Sequence, residues 1–175
     1  MISQQDYFPI DFSLQEVIFY PDKLTNDPVL QKEARKKIEA LLKEIGLGIF
    51  SVSITDAKDE NKTKGKDNTI DLDSVKDWHT ILSGGEKKKV LIVSAIIKHP
   101  DILILDEVFN GLDEDSIITV QQMLRQHLPN ALVLVVDHHA QNNNYNDFYD
   151  NKLSFIDKTI VLQDFISQIK NNKKY

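Results

Sequence analysis

Two adjacent carboxylates follow a run of four apolar residues in the middle of the chain. The run is Ile102–Leu105, and the acids are Asp106 and Glu107. A short continuous apolar run predicts a strand buried on both faces, here with the acids at its carboxyl end. One carboxylate at this position suits Mg²⁺, which is usually bound by one or two carboxylates plus waters and phosphates. The second carboxylate could accept the proton of a reacting water. Alone, the pattern favours the simpler alternative that both acids cap the strand and face water.

A serine and two glycines form a second candidate site, at the start of a helical pattern. Ser83, Gly84 and Gly85 precede Glu86, and apolar residues then recur at helical spacing until Pro100. Glycines let backbone N–H groups approach a phosphate, and the helix dipole adds partial positive charge. Ser83 and Glu86 also match the capping-box pattern, so an ordinary helix start explains the same residues. In isolation the sequence favours that structural explanation.

A histidine follows a second apolar run, residues 131–136. If the two runs form neighbouring strands, His138 lies near the end of the strand that carries Asp106. An imidazole there hydrogen-bonds a phosphate oxygen or an attacking water. The alternative is a surface histidine in a polar loop. For His139 the sequence favours that alternative. His79, His99 and His127 are scattered and predict no metal site.

The surrounding elements predict an α/β fold. A helix over about 114–127 separates the two apolar runs, which indicates a parallel βαβ unit with a right-handed crossover. Ligands of such sheets bind beyond the carboxyl ends of the strands, where the acidic pair and the histidine fall. The other predicted elements are helices over 14–19 and from Pro28 to the Gly46 stop, a mobile loop over 56–68, strands over 153–156 and 159–162, and a terminal helix over about 164–171.

Composition narrows the class of protein. The chain has 175 residues, a length that favours a single domain. Its 27 acidic and 21 basic residues give a net charge of −6. That balance argues against a protein that coats nucleic acid, so no nucleic-acid partner is favoured. The absence of cysteine excludes disulfides, thiolate zinc sites and iron–sulfur clusters. No apolar run of about 18 residues and no secretory signal are evident, which predicts a soluble chain.

Read in order, four motifs resemble those of the ATP-binding cassette (ABC) ATPases. They are Ile-Leu-Ser-Gly-Gly-Glu at 81–86, Ile-Leu-Ile-Leu-Asp-Glu at 102–107, Gly-Leu-Asp at 111–113 and Val-Asp-His at 136–138. Upstream, residues 4–9 are similar to a Q-loop. Asp77-Trp78, shortly before the signature-like motif, is similar to the sequence at this position in one branch of the family. That branch contains peroxisomal fatty-acyl transporters and bacterial peptide-antibiotic and cobalamin importers. The resemblance covers almost the whole chain.

The resemblance implies a role for each matching residue. Leu82 to Glu86 would be the signature motif and residues 102–106 the Walker B strand. Ser83 and Gly85 would donate hydrogen bonds to the γ-phosphate of a nucleotide held by a partner. The remaining implied roles are the catalytic base Glu107, the metal ligands Asp106 and Gln4, the switch histidine His138, and nucleotide contacts from Gln4, Gly84, Glu86 and the D-loop residue Asp113.

The resemblance also implies a partial fold. The phosphate-cradling pattern Gly-x-x-x-x-Gly-Lys-Ser/Thr (Walker A) is absent, because Gly65-Lys66 is followed by Asp67. We therefore expect a partial P-loop NTPase fold that lacks the Walker A strand and helix, equivalent to the carboxyl-terminal two-thirds of a cassette. Residues 1–100 would hold the Q-loop and the α-helical subdomain, and residues 101–175 the RecA-like α/β part.

These expectations lead to three functional hypotheses. In the first, the chain is part of a transporter's ATP-binding domain, with ATP and Mg²⁺ bound only in a completed site, a second cassette paired head to tail, and a transmembrane domain at the cytoplasmic face of a membrane. In the second, it is a non-hydrolysing partner that lends its signature motif to a complete cassette. The third is a lobe of an ABC-type DNA-maintenance ATPase, ranked last because no long coiled-coil pattern precedes the signature. The isolated chain is predicted to be inactive.

Overall fold

The computed structural model describes residues 2, 8–47, 71–136 and 148–164. Five helices and four strands lie within these ranges. They are α1 (Leu14–Phe19), α2 (Pro28–Glu44), α3 (Trp78–Ile81), α4 (Gly84–Lys98), β1 (Ile102–Asp106), α5 (Glu114–His127), β2 (Leu132–Val136), β3 (Asn151–Ile156) and β4 (Thr159–Asp164). The predicted mobile loop over 56–68 lies outside the described residues.

The helices begin where the capping patterns predict. Ser13 forms a complete capping box with Glu16 at the start of α1. Asp27 accepts hydrogen bonds from the first-turn N–H groups of α2, whose first residue is Pro28. Gly46, at φ +78°, follows the end of α2 in the left-handed conformation that glycine adopts without a Cβ penalty. The first two helix predictions are therefore confirmed.

Helix α4 is the centre of the helical packing. Val90, Ile92, Val93 and Ile96 are almost completely buried, and α4 packs against α1, α2 and α5. Where α4 meets α1, the Ser94 hydroxyl donates to the carbonyl of residue 18 at 2.5 Å, so the polar group is satisfied. Burial of a large aliphatic side chain contributes about 1.5–3 kcal/mol, so these contacts fix α4 firmly.

The two strands on either side of α5 pair in parallel. Ile102 lies opposite Leu132, and the register runs on to Asp106 opposite Val136. Ile2 adds a parallel bridge on the other side of β1, beside residue 105. The predicted parallel βαβ unit is confirmed, and the carboxyl ends of its two strands coincide at Asp106.

The prediction that both strands are buried on both faces is wrong. Leu103 and Leu105 are buried, but Ile102 is 58% exposed. Side chains alternate between the faces of a strand, and the described residues fully cover only the face that carries residues 103 and 105. In β2, Leu132 and Val136 are each 55% exposed, and none of its side chains is fully buried among the described residues.

Strands β3 and β4 belong to a second compact unit. Contacts divide the chain into residues 1–136 and 137–175. The strands pair antiparallel around Asp157 and Lys158, both at positive φ, as a two-residue hairpin turn requires. The predicted hairpin is confirmed. The predicted terminal helix instead starts at a strand residue, Asp164, and its other residues lie outside the described ranges, while a boundary near residue 100 stays a prediction.

Across the described part of the chain, no helix combines the length and apolar character needed to cross a bilayer.

Candidate functional site

The start of α4 leaves two backbone N–H groups available to a ligand. The Ser83 side chain accepts from the Glu86 N–H at 3.3 Å, and the Glu86 carboxylate accepts from the Ser83 N–H at 2.8 Å. The predicted capping box therefore forms. The N–H groups of Gly84 and Gly85 lie in the first turn of α4, where the helix itself provides no acceptor, and neither donates to another described residue. A capped helix start and an anion site are thus compatible here.

An open pocket of about 520 Å³ lies at this helix start. The first turn of α4 meets the segment 110–113 there. A Cβ on Gly85 would lie 3.4 Å from Leu112 Cδ2, whereas a Cβ on Gly84 would meet nothing within 4 Å. Local packing therefore does not require glycine at position 84, although a ligand that approaches the backbone closely would. The pocket is lined by Ser83, Gly84, Gly85, Glu86, Lys88, Lys89, Asn110, Gly111, Leu112 and Asp113.

The acidic pair lies at the carboxyl end of β1, as predicted. The Asp106 N–H donates to the Ile2 carbonyl at 2.9 Å, and the Glu107 N–H donates to the Val136 carbonyl at 2.9 Å. Glu107 has φ +53°, an uncommon conformation for a residue with a Cβ, and the chain turns away from the sheet at this point. Both carboxylate residues are half-buried, so they are neither core residues nor simple surface caps.

A tight turn connects the acidic pair to the pocket. The Asn110 N–H donates to the Glu107 carbonyl at 3.2 Å, and the Asn110 side-chain amide donates to the Glu107 carboxylate at 3.1 Å. The Lys88 ammonium of α4 donates to the Glu107 carbonyl at 3.2 Å and also to the Asn110 carbonyl. The carboxylate of Glu107 is thus linked through Asn110 to the wall of the pocket.

Asp113 closes the segment as the N-cap of α5. Its carboxylate accepts from the backbone N–H and the hydroxyl of Ser116, each at 2.8 Å. These two hydrogen bonds lower the pKa of Asp113 below its usual value, and the charge of Lys89 acts in the same direction. The implied D-loop residue is therefore an ionised cap that also lines the pocket.

The structure brings together most of the residues singled out in the sequence. Ser83, Gly84, Gly85, Glu86 and Asp113 line one pocket. Asp106 and Glu107 occupy the adjoining strand end, with Glu107 linked to the pocket through Asn110. Gln4 and His138 lie outside the described residues, so their placement stays a prediction. The described ranges hold no group of three or more His, Cys, Asp or Glu residues arranged to hold a metal.

The contacts of two residues at the site were not predicted, although Lys88 was expected to add positive charge to this helix start together with its neighbours Lys87 and Lys89. Lys88 reaches two carbonyls that are 19 and 22 residues away in sequence, and no sequence pattern indicates that contact. The Asn110 amide donates to the Glu107 carboxylate three residues earlier, a contact that depends on the turn formed there.

The donor types present fit a magnesium–phosphate ligand. Two backbone N–H groups at a helix start that donate to no other described residue suit an anion. A half-buried carboxylate at a strand end suits Mg²⁺, which needs few protein ligands when phosphates supply the others. An α/β unit with these features at one end is typical of nucleotide-binding proteins.

Comparison with known proteins points to one family. A family model described as ABC transporter matches residues 2–110. Over 68 residues the chain is 38% identical to an aliphatic sulfonates import ATP-binding protein of Rhodococcus jostii, an alignment that covers 38% of this chain and 28% of that protein. Over 166 residues it is 26% identical to an ATP-dependent lipid A-core flippase of Pseudoalteromonas translucida, covering 92% and 26%.

A solved structure agrees with the fold. A bacterial Atm1-family ABC exporter with ATP bound aligns with a TM-score of 0.61 at 18% identity, covering 96% of this chain and 26% of the exporter chain. Because the family model matches more than half of the chain, the chain belongs to the ABC transporter family. Its fold is that of the ABC nucleotide-binding domain. The chain spans about a quarter of the length of each relative named here.

Proposed function

We propose that the chain is the carboxyl-terminal portion of an ABC transporter's ATP-binding domain, and that it couples ATP binding and hydrolysis to transport when a Walker A-bearing segment completes the site. A second cassette paired head to tail and a transmembrane domain at the cytoplasmic face of a membrane are the partners this function needs. The observation that carries the proposal is the open first turn of α4, with two glycines lining the same pocket as the 110–113 segment.

The signature residues act on the phosphate of a nucleotide bound mainly by the partner cassette. The N–H of Gly85 and the Ser83 hydroxyl donate to the γ-phosphate. The exposed Gly84 lets the phosphate come close to the backbone, and the positive end of the α4 dipole favours its charge. Fixed donors of this kind need no reorganisation during reaction, which makes them effective in phosphoryl transfer.

The acidic pair divides two tasks between its members. Asp106 holds Mg²⁺, which when bound neutralises charge on the phosphates. Glu107 orients the attacking water and accepts its proton, and the Asn110 amide holds that carboxylate in place. By the family resemblance, Gln4 contacts the metal and the γ-phosphate, and His138 stabilises the transition state. Glu86 and Asp113 line the site.

The test is ATP hydrolysis by the assembled transporter that carries the chain. Glu107→Gln should reduce turnover by about 100-fold or more while ATP binding persists, because only the proton acceptor is lost. Glu33→Gln is the matched control, since Glu33 is an exposed carboxylate on α2 away from the pocket. Unchanged turnover in Glu107→Gln would contradict the proposal.

A second variant pair tests the signature separately. Ser83→Ala removes both the capping box of α4 and the proposed phosphate donor, whereas Ser13→Ala removes an equivalent box from α1. Both should lower stability by about 1 kcal/mol. Only Ser83→Ala should also raise the ATP concentration needed for turnover. If the chain restores turnover to a complete cassette while Glu107→Gln has no effect, the non-hydrolysing partner hypothesis replaces this one.

A further inference from the structure

The Lys88 side chain spans two parts of the site that are distant in sequence. It leaves the first turn of α4, and its half-buried ammonium group donates to the carbonyls of Glu107 and Asn110. These carbonyls mark the two ends of the turn that follows β1. Hydrogen bonds from a charged donor are about twice as strong as neutral ones, so this contact holds the turn more firmly than a backbone bond alone.

The turn that Lys88 holds contains the proposed catalytic base in an unusual conformation. Glu107 has φ +53°, a region that residues with a Cβ enter only when the surroundings enforce it. Its carbonyl accepts from both the Asn110 N–H and the Lys88 ammonium. Both donors therefore stabilise the conformation that directs the Glu107 carboxylate toward the Asn110 amide at 3.1 Å.

We propose that Lys88 is a positioning residue for Glu107. Its ammonium group fixes the 107–110 turn, so that Asn110 stays where its amide can hold the Glu107 carboxylate. Lys88 also lines the pocket at the start of α4. One side chain therefore contacts both the proposed phosphate site and the turn that carries the proposed base. The kinetic part of this inference rests on the proposed function, whereas the contact itself does not.

Amide hydrogen exchange on the full 175-residue chain tests the contact without any nucleotide. In Lys88→Met, exchange at the Asn110 and Leu112 amides should quicken by about tenfold or more, because two hydrogen bonds from a charged donor are lost. The Ser116 and Ile117 amides, which bond to Asp113, should keep their rates. Unchanged exchange at Asn110 and Leu112 would overturn the proposal.

Two lysine variants separate this role from a general loss of charge. Lys88→Arg keeps a cation that reaches carbonyls and should restore most of the protection. Lys87→Met removes the neighbouring charge from the first turn of α4 and should leave exchange in the 107–110 turn unchanged. If Lys87→Met loosens the turn as much as Lys88→Met does, the effect is electrostatic and the positioning role is refuted.

Kinetics of the assembled ATPase test the positioning role itself. Lys88→Met should lower kcat about tenfold to a hundredfold with the KM for MgATP within about twofold, because a displaced base slows chemistry without weakening nucleotide binding. Lys88→Arg should recover most of kcat. A raised KM for MgATP with an unchanged kcat would overturn the proposal. Absence of turnover in the unmodified ATPase would instead refute the proposed function, and the exchange data would still decide whether Lys88 holds the turn.

Discussion

Replacement of Gly84 by alanine should make the chain more stable while destroying the proposed phosphate site. Gly84 is the first residue of α4, has ordinary helical backbone angles, and is exposed. A Cβ built there meets no atom within 4 Å, so alanine introduces no clash. Alanine also restricts the unfolded chain more than glycine does, which favours the folded state.

The expected gain follows from these two facts. A Gly→Ala change at a compatible site stabilises a protein by about 0.4–1 kcal/mol. For a chain of this length that corresponds to a rise of about 1–4 °C in Tm. Thermal unfolding of the full chain, followed by far-ultraviolet circular dichroism, measures it. A loss of more than about 1 kcal/mol would show that the fold itself requires this glycine.

Gly46 is the matched control because its backbone demands glycine. It lies at φ +78°, where a side chain is strained whatever space surrounds it. Gly46→Ala should therefore lower stability by about 1 kcal/mol, a change opposite in sign to that of Gly84→Ala. If both variants shift Tm in the same direction, the distinction between a conformational glycine and a ligand-access glycine fails.

The functional half of the prediction uses the assembled ATPase. The methyl group of Gly84→Ala occupies the space through which a phosphate must approach the backbone, so turnover should fall by about tenfold or more despite the higher Tm. A stabilised variant with full turnover would refute the assignment of this helix start to a phosphate.

Three further measurements test the site and its surroundings. The isolated chain should show no micromolar binding of ATP with Mg²⁺ by calorimetry, because no phosphate-cradling motif is present in its sequence; micromolar binding would contradict this. The pKa of Asp113 is lowered on folding by hydrogen bonds from Ser116. Its contribution to stability is therefore present above the unfolded pKa and is lost as pH falls through the folded pKa. Asp113→Asn should flatten the acid limb of a curve of stability against pH, and an unchanged limb would count against the role of Asp113 as a helix cap. The ion pair between Arg35 and Asp73 is partly exposed, so a double-mutant cycle should give a coupling below about 1 kcal/mol that shrinks with salt; a salt-independent coupling of several kcal/mol would contradict this.

Local chemistry made the helix starts predictable. Ser13, Asp27 and Ser83 each satisfy N–H groups within three residues of themselves, so the pattern and the contact are the same short stretch of sequence. The hairpin turn at Asp157 and Lys158 is local in the same sense. Such features need no knowledge of the rest of the fold.

Long-range features escaped prediction for a physical reason. The apolar run 102–105 indicated a strand, but its two-sided burial depended on which elements cover each face, and the described residues cover one. The bonds of Lys88 likewise depend on how the start of α4 lies beside the turn that follows β1, which no single stretch of sequence specifies.

The chain contains two capping boxes, and only the one at the start of α4 has a proposed ligand role. Helices α1 and α4 both begin with Ser and have Glu three residues later, and both boxes form. The residues between differ. In α1 they are Leu14 and Gln15, both buried, whereas in α4 they are Gly84, which is exposed, and Gly85, which is half-buried.

Capping therefore explains the serine and the glutamate of α4 but not its glycines. The gain of about 0.4–1 kcal/mol expected for Gly84→Ala means that glycine costs stability at this position. Neither a positive φ nor a close neighbour requires glycine there. A residue that costs stability with no structural need indicates a demand from outside the chain. The phosphate contact proposed above accounts for such a demand, and the pocket lies at the same place.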